Sequence, residues 1–126
     1  MRYPVVFLPS PGLPAGAWER WVELFTAHGG TATAPAALRW SPQGRSVLVG
    51  YGPGGLLALL LAGQEGIAGV IAIDVAAVPV APTGPEDPDQ NPVLLVITDQ
   101  GPSLITGPGW RAVAESCLSW LDAHEL

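Results

Sequence analysis

A chain of 126 residues with 48% apolar and 13% charged side chains is one domain able to bury a core, which excludes general disorder. Its net charge of −6, with five scattered arginines and no lysine, leaves no basic patch, so nucleic acid is not an expected partner. Cys117 is the only cysteine, which excludes an internal disulfide and a multi-cysteine metal site; no metal is expected.

In chain order, the apolar run 5–8, bounded by prolines, predicts a strand buried on both faces. The loop "PSPGLPAG" follows, and then a helix over 17–28, where Trp18, Trp21, Val22 and Phe25 share one face. Gly29 and Gly30 stop it. Residues 31–34 read as a second, weaker strand and 46–49 as a third, joined by a link short for a parallel crossover. A helix over 54–64 is apolar nearly all round. Strands over 69–73 and 93–97 flank a proline-rich acidic loop, 77–92. Trp110, Val113, Ala114, Cys117, Leu118 and Leu121 mark a terminal amphipathic helix, on which Cys117 reads as a small buried hydrophobe. Trp18 and Trp110 each begin an apolar face and are expected in the core. There is no internal repeat. The N-terminus has neither the apolar length nor the cleavage site of a signal peptide, and the longest apolar run, 56–62, is too short to cross a bilayer. No membrane association and a cytoplasmic location are expected. Strands alternating with helices predict a single α/β domain over 1–126 with about five mostly parallel strands and few helices.

The stretch "VVFLPSPGLPAGAWERWVELFTAHGGTATAP" resembles the opening of an α/β-hydrolase: strand, oxyanion loop, tryptophan-bearing helix, glycines, next strand. "VLVGYGPGGLLALLLA" is similar to that family's nucleophile strand, turn and helix, "GVIAID" to the next strand, and "NPVLLVITDQGP" to the strand leading to the catalytic acid. The resemblance, with gaps, covers most of the chain. It implies a minimal hydrolase-like fold, the lateral strand order 2-1-3-4-5, and loop 77–92 at the position of the family's cap.

The departures from the family pattern decide the expected chemistry. The turn G-x-S-x-G puts a serine at its apex and takes an oxyanion donor from the next backbone N–H. Here the apex is Gly52, and the next residue is Pro53, which has no N–H. Losing one such donor typically costs about a hundred- to a thousandfold in rate. The acid position, aligned on Pro102, is Gly101; Asp99 lies two residues early. Trp110 stands where the histidine is looked for, and His28 and His124 lie at helix ends. The Ser-His-Asp triad is therefore absent, and a conventional serine hydrolase is not expected. Ser10, Asp99 and Ser103 remain as catalytic candidates, with Cys117 and Glu19 behind them.

The same turn also reads G-x-G-x-x-G over 50–55, between a strand and a helix, with Asp74 ending the following strand. That is the context of a dinucleotide-binding fingerprint, so an adenine dinucleotide stays open as a cofactor; otherwise none is expected. The strand order that the hydrolase resemblance implies makes the loops leaving the first and third strands frame a crevice at a topological switch point. Its expected ligand residues are Ser10, Gly12, Leu13, Trp40, Tyr51, Gly52 and Pro53.

The leading expectation is a hydrolase-like protein, repurposed to bind a small apolar or aromatic molecule and to position it for a non-hydrolytic cyclisation or rearrangement. An interaction module completing a partner, a hydrolase or acyltransferase with an unconventional nucleophile, and a nucleotide binder stand beside it. One sheet face keeps only the 54–64 helix, so a homodimer or a protein partner is expected to cover it.

Overall fold

Valine, isoleucine and leucine crowd the runs 46–51, 67–73 and 93–97, too short and too uniformly apolar for exposed helices. The computed structural model describes residues 3–10, 13–14, 16–35, 45–61, 66–74, 93–97 and 103–126. Their elements are β1 (Val5–Phe7), α1 (Glu19–Ala27), β2 (Ala32–Thr33), β3 (Ser46–Tyr51), α2 (Pro53–Leu61), β4 (Ile67–Ile73), β5 (Val93–Ile97), α3 (Ser103–Thr106) and α4 (Trp110–Ala123). All pairings are parallel, in the order β2-β1-β3-β4-β5 expected above. The link over 36–44 lies outside the described residues; β2 and β3 pair with opposite edges of β1.

Alternation along the strands sorts the core into two layers. Val5, Phe7, Val47, Val49, Tyr51, Ile71 and Ile73 face α1 and α4. Val6, Leu8, Leu48, Val70 and Ala72 face α2. Every residue of β1, β3 and β4 is buried, as parallel strands covered on both sides require.

The α1 side holds an aromatic stack. Phe7 lies 5.0 Å from Trp18 and 5.1 Å from Phe25 between ring centroids, and Trp18 meets Trp21 edge-on at 5.2 Å. Such pairs add about 0.5–1.5 kcal/mol each beyond their buried area. Both indoles also have their N–H groups satisfied. Trp18 Nε1 donates to the Leu8 carbonyl at 3.0 Å, and Trp21 Nε1 to the Ile105 carbonyl at 3.1 Å. These two bonds fix the ends of β1 and α3, so the core positions loops as well as burying area.

Cys117 is fully buried on α4, and burial pushes its thiol up to about 12, which makes it an inert packing residue as expected. Trp18 is in the core as read, whereas Trp110 is only half-buried. Helix α4 begins there, at the edge of the layer, and the Arg20 guanidinium lies 6.0 Å from the ring centre. The short α3 was not expected from the sequence; four residues carry too little periodicity to be read.

Candidate functional site at the carboxyl edge of the sheet

The turn between β3 and α2 is built by glycines with different jobs. A Cβ on Gly50 would stand 2.3 Å from the Gly54 carbonyl oxygen and 2.6 Å from the Gly55 nitrogen. Only glycine lets the first turn of α2 press this closely on β3. Gly52 supplies the reversal itself, with φ +54, where an L side chain costs about 1–2 kcal/mol. Its surroundings are the opposite of Gly50's: among the described residues nothing lies within 4 Å of a Cβ built there. Glycine takes this conformation without strain, and the apex is open among the described residues. Pro53 then starts α2 at the one position where a missing N–H is harmless.

The loop after β1 closes against this turn. A Cβ on Gly54 would meet the Pro9 carbonyl oxygen at 3.1 Å and Ser10 Cβ at 3.2 Å. The Gly54 N–H donates to Ser10 Oγ at 3.4 Å, a long bond that caps α2 from a different strand. Ser10 therefore serves the helix N-terminus, the place where backbone N–H groups gather positive potential. Because β1 leads to α1 on one face and β3 to α2 on the other, the gap between their carboxyl ends is the topological switch point.

The other expected site residues divide as follows. Leu13 is half-buried and packs against the core layer that faces α1 and α4. Tyr51 has its ring in the core with 8% exposure, and its hydroxyl interacts with Asp74 at the end of β4. Burial, and then the hydrogen bond and charge of Asp74, raise this phenol above its ordinary 10.0, so it stays a proton donor at neutral pH. Ser103 opens α3. Gly12, Trp40, Asp99 and Gly101 lie outside the described residues, as does loop 77–92. His28 and His124 close α1 and α4. The Leu126 carbonyl accepts from the Tyr3 N–H before β1, so α4 ends at the amino edge of the sheet, opposite the Gly52 turn. His28 pairs there with Asp122 at 3.0 Å, and His124 stacks near Trp120 at 5.0 Å.

Asp74 was legible only as the acid of a dinucleotide fingerprint. It has φ +58, a left-handed conformation tolerated best by Asp, Asn and Gly, and its N–H donates to the Ile97 carbonyl at 2.6 Å. The Gly52 N–H donates to the Ile73 carbonyl at 2.8 Å, which ties the turn to the end of β4 beside Tyr51 and Asp74.

No protein-family model, curated protein or solved structure matches this chain. Among the described residues, no helix is long and apolar enough to cross a membrane, and no three metal-ligating acidic, cysteine or histidine side chains gather. The described arginines also stand clear of the turn. Arg111 is paired with Glu115 at 3.0 Å, Arg20 lies over Trp110, and Arg45, before β3, lies over Tyr3 at the amino edge. Among the described residues, what the turn offers a ligand is space, a helix N-terminus, the Ser10 hydroxyl and the Asp74 carboxylate at the end of β4.

Proposed function

We propose that this chain is a hydrolase-like α/β domain that has exchanged nucleophilic catalysis for the binding of a small, neutral apolar or aromatic molecule in the crevice above Gly52. The observation that carries the reading is the apex: Gly52 keeps the left-handed reversal, while among the described residues nothing lies within 4 Å of its missing side chain. A site of this form holds a ligand by shape and by a few polar groups, and positioning alone can accelerate an intramolecular cyclisation or rearrangement. Two features favour a neutral ligand over a dinucleotide. Ser10 Oγ already takes the Gly54 N–H that a phosphate would use, and no described arginine faces the turn. Ser10 also has no histidine beside it among the described residues, since both histidines close helices at the amino edge.

The test is a thermal-shift screen with adenine dinucleotides in one panel and neutral acyl, lactone and aromatic compounds in the other. Selective binding to the native state stabilises it by about 2.7 kcal/mol at a hundredfold excess over Kd. Saturating stabilisation by the neutral panel, weakened in Gly52→Leu, is the expected result. Stabilisation by dinucleotides alone overturns the reading, and ester turnover abolished by Ser10→Ala replaces it with an unconventional hydrolase.

A second reading, a homodimer or interaction module using the outer face of α2, is favoured by one observation. Leu56 and Leu60 are 41% and 60% exposed, one turn apart on a helix without a polar side chain. Sedimentation across micromolar concentrations should show self-association that Leu60→Glu abolishes; a monomer throughout removes the homodimer.

A further inference from the structure

A separate cavity of about 270 Å³ opens beside the start of α1, walled by Pro14, Ala17, Glu19, Arg20, Ile105 and Thr106. It shares no lining residue with the Gly52 turn. Ile105 is fully buried and forms an apolar floor; Pro14 and Ala17 continue it. The rim carries opposite charges. Arg20 is held over the Trp110 ring at 6.0 Å, a cation–π contact that leaves the edge of the guanidinium for hydrogen bonds. Glu19 folds back over Gly16, with Oε1 3.1 Å from where a Cβ on Gly16 would stand. Adjacent in sequence, the two do not pair with each other, and neither forms an ion pair among the described residues.

The floor and walls are anchored from elsewhere in the fold. The Ile105 carbonyl accepts from Trp21 Nε1 at 3.1 Å, which ties α3 to the aromatic stack. The Ala17 N–H donates to the Pro14 carbonyl at 3.1 Å, and the Glu19 N–H to the Gly16 carbonyl at 3.1 Å, so two turns set the opposite wall. Walls fixed in this way lower the ordering cost of binding.

We propose that this cavity is a binding site for a small zwitterion, a free α-amino acid with an apolar side chain. Its carboxylate pairs with Arg20, a planar fork suited to carboxylates, and its ammonium with Glu19. The side chain rests on Ile105, Pro14 and Ala17. The inference is independent of the reading given for the Gly52 turn.

The experiment is an NMR titration of the full chain with L-leucine, N-acetyl-L-leucine and L-leucinamide. The first ligand keeps both charges, the second loses the cation and the third the anion. Saturable shifts centred on Ala17, Arg20 and Thr106 are expected with L-leucine. Each derivative should bind about three- to tenfold more weakly, the range for partly exposed ionic contacts. Arg20→Gln and Glu19→Gln should repeat those losses, and Arg20→Lys should recover part of the first. Both side chains are exposed, so the variants should keep the wild-type circular dichroism spectrum. Absence of saturation into the millimolar range overturns the site. Equal binding of all three compounds overturns the zwitterion assignment, and L-leucine binding lost in Gly52→Ala but kept in Arg20→Gln places the ligand elsewhere.

Discussion

The two faces of the sheet are built on different principles. On the α1 and α4 side, Phe7, Trp18, Trp21 and Phe25 interlock with the β-branched residues of the strands, and buried indoles bond backbone carbonyls across the layer. On the other side α2 supplies only Ala58 and Leu59 as buried apolar residues, with glycines at its start. The first face holds the domain together through side chains. The second brings backbone close to backbone, and that is where the open turn lies. Stability and the candidate site are thus largely carried by opposite layers, meeting where Trp18 anchors the Leu8 carbonyl just before Ser10.

The largest break in this comparison should come from the aromatic face. Trp21→Ala should lower unfolding stability by about 3–5 kcal/mol in urea titration, because it opens a cavity and leaves the Ile105 carbonyl unpaired. A loss below about 1 kcal/mol would mean that the stack does not carry the fold.

Among the described residues, the two groups whose ionisation is raised, Cys117 and Tyr51, also belong to this face. The unfolded thiol releases its proton near 9.0 and the folded one near 12, so above pH 9 the unfolded state binds fewer protons. Stability should be flat with respect to this group below that value and fall between the two, by about 1.4 kcal/mol per pH unit and about 4 kcal/mol in all. Tyr51 acts in the same direction above 10.0. Unfolding curves of the wild type and Cys117→Ala across this range should diverge in slope; parallel slopes would contradict the burial.

The thin face is sharpened by comparing two glycines two residues apart. Gly50→Ala drives a Cβ into the backbone of α2 at 2.3 Å and should cost about 3 kcal/mol or more. Gly52→Ala meets nothing within 4 Å among the described residues and should cost only the left-handed strain, about 1–2 kcal/mol. Equal losses at both positions would mean that the space over Gly52 is filled.

Periodicity and punctuation carried most of the architecture. The apolar stripe Trp18, Trp21 and Phe25 predicts which side of α1 is buried, and Gly29 at φ +97 ends that helix where the paired glycines implied. The strand order came through resemblance, since hydrogen-bonding partners leave no trace in local pattern. The site was less legible. Tyr51 reads as a crevice residue because it lies in the loop leaving the third strand, but its period-two relation to Val47 and Val49 puts its ring in the core facing α1 and α4. That signal was present in the sequence. The contacts of Tyr51 with Asp74, and of Gly54 with Ser10, join residues far apart in the chain and depend on where the strands end. The cavity at Glu19 and Arg20 depends likewise on α3, a helix too short to be read.

The central claim, that the ligand occupies the space over Gly52, is tested most directly by mapping amide shifts on titration with a neutral compound that stabilises the protein. The largest changes should fall on Ser10, Gly52, Gly54 and Asp74 and saturate together, because these residues meet at the turn. Changes confined to the outer face of α2 or to the α1 cavity, with Gly52 and Gly54 unmoved, would contradict it.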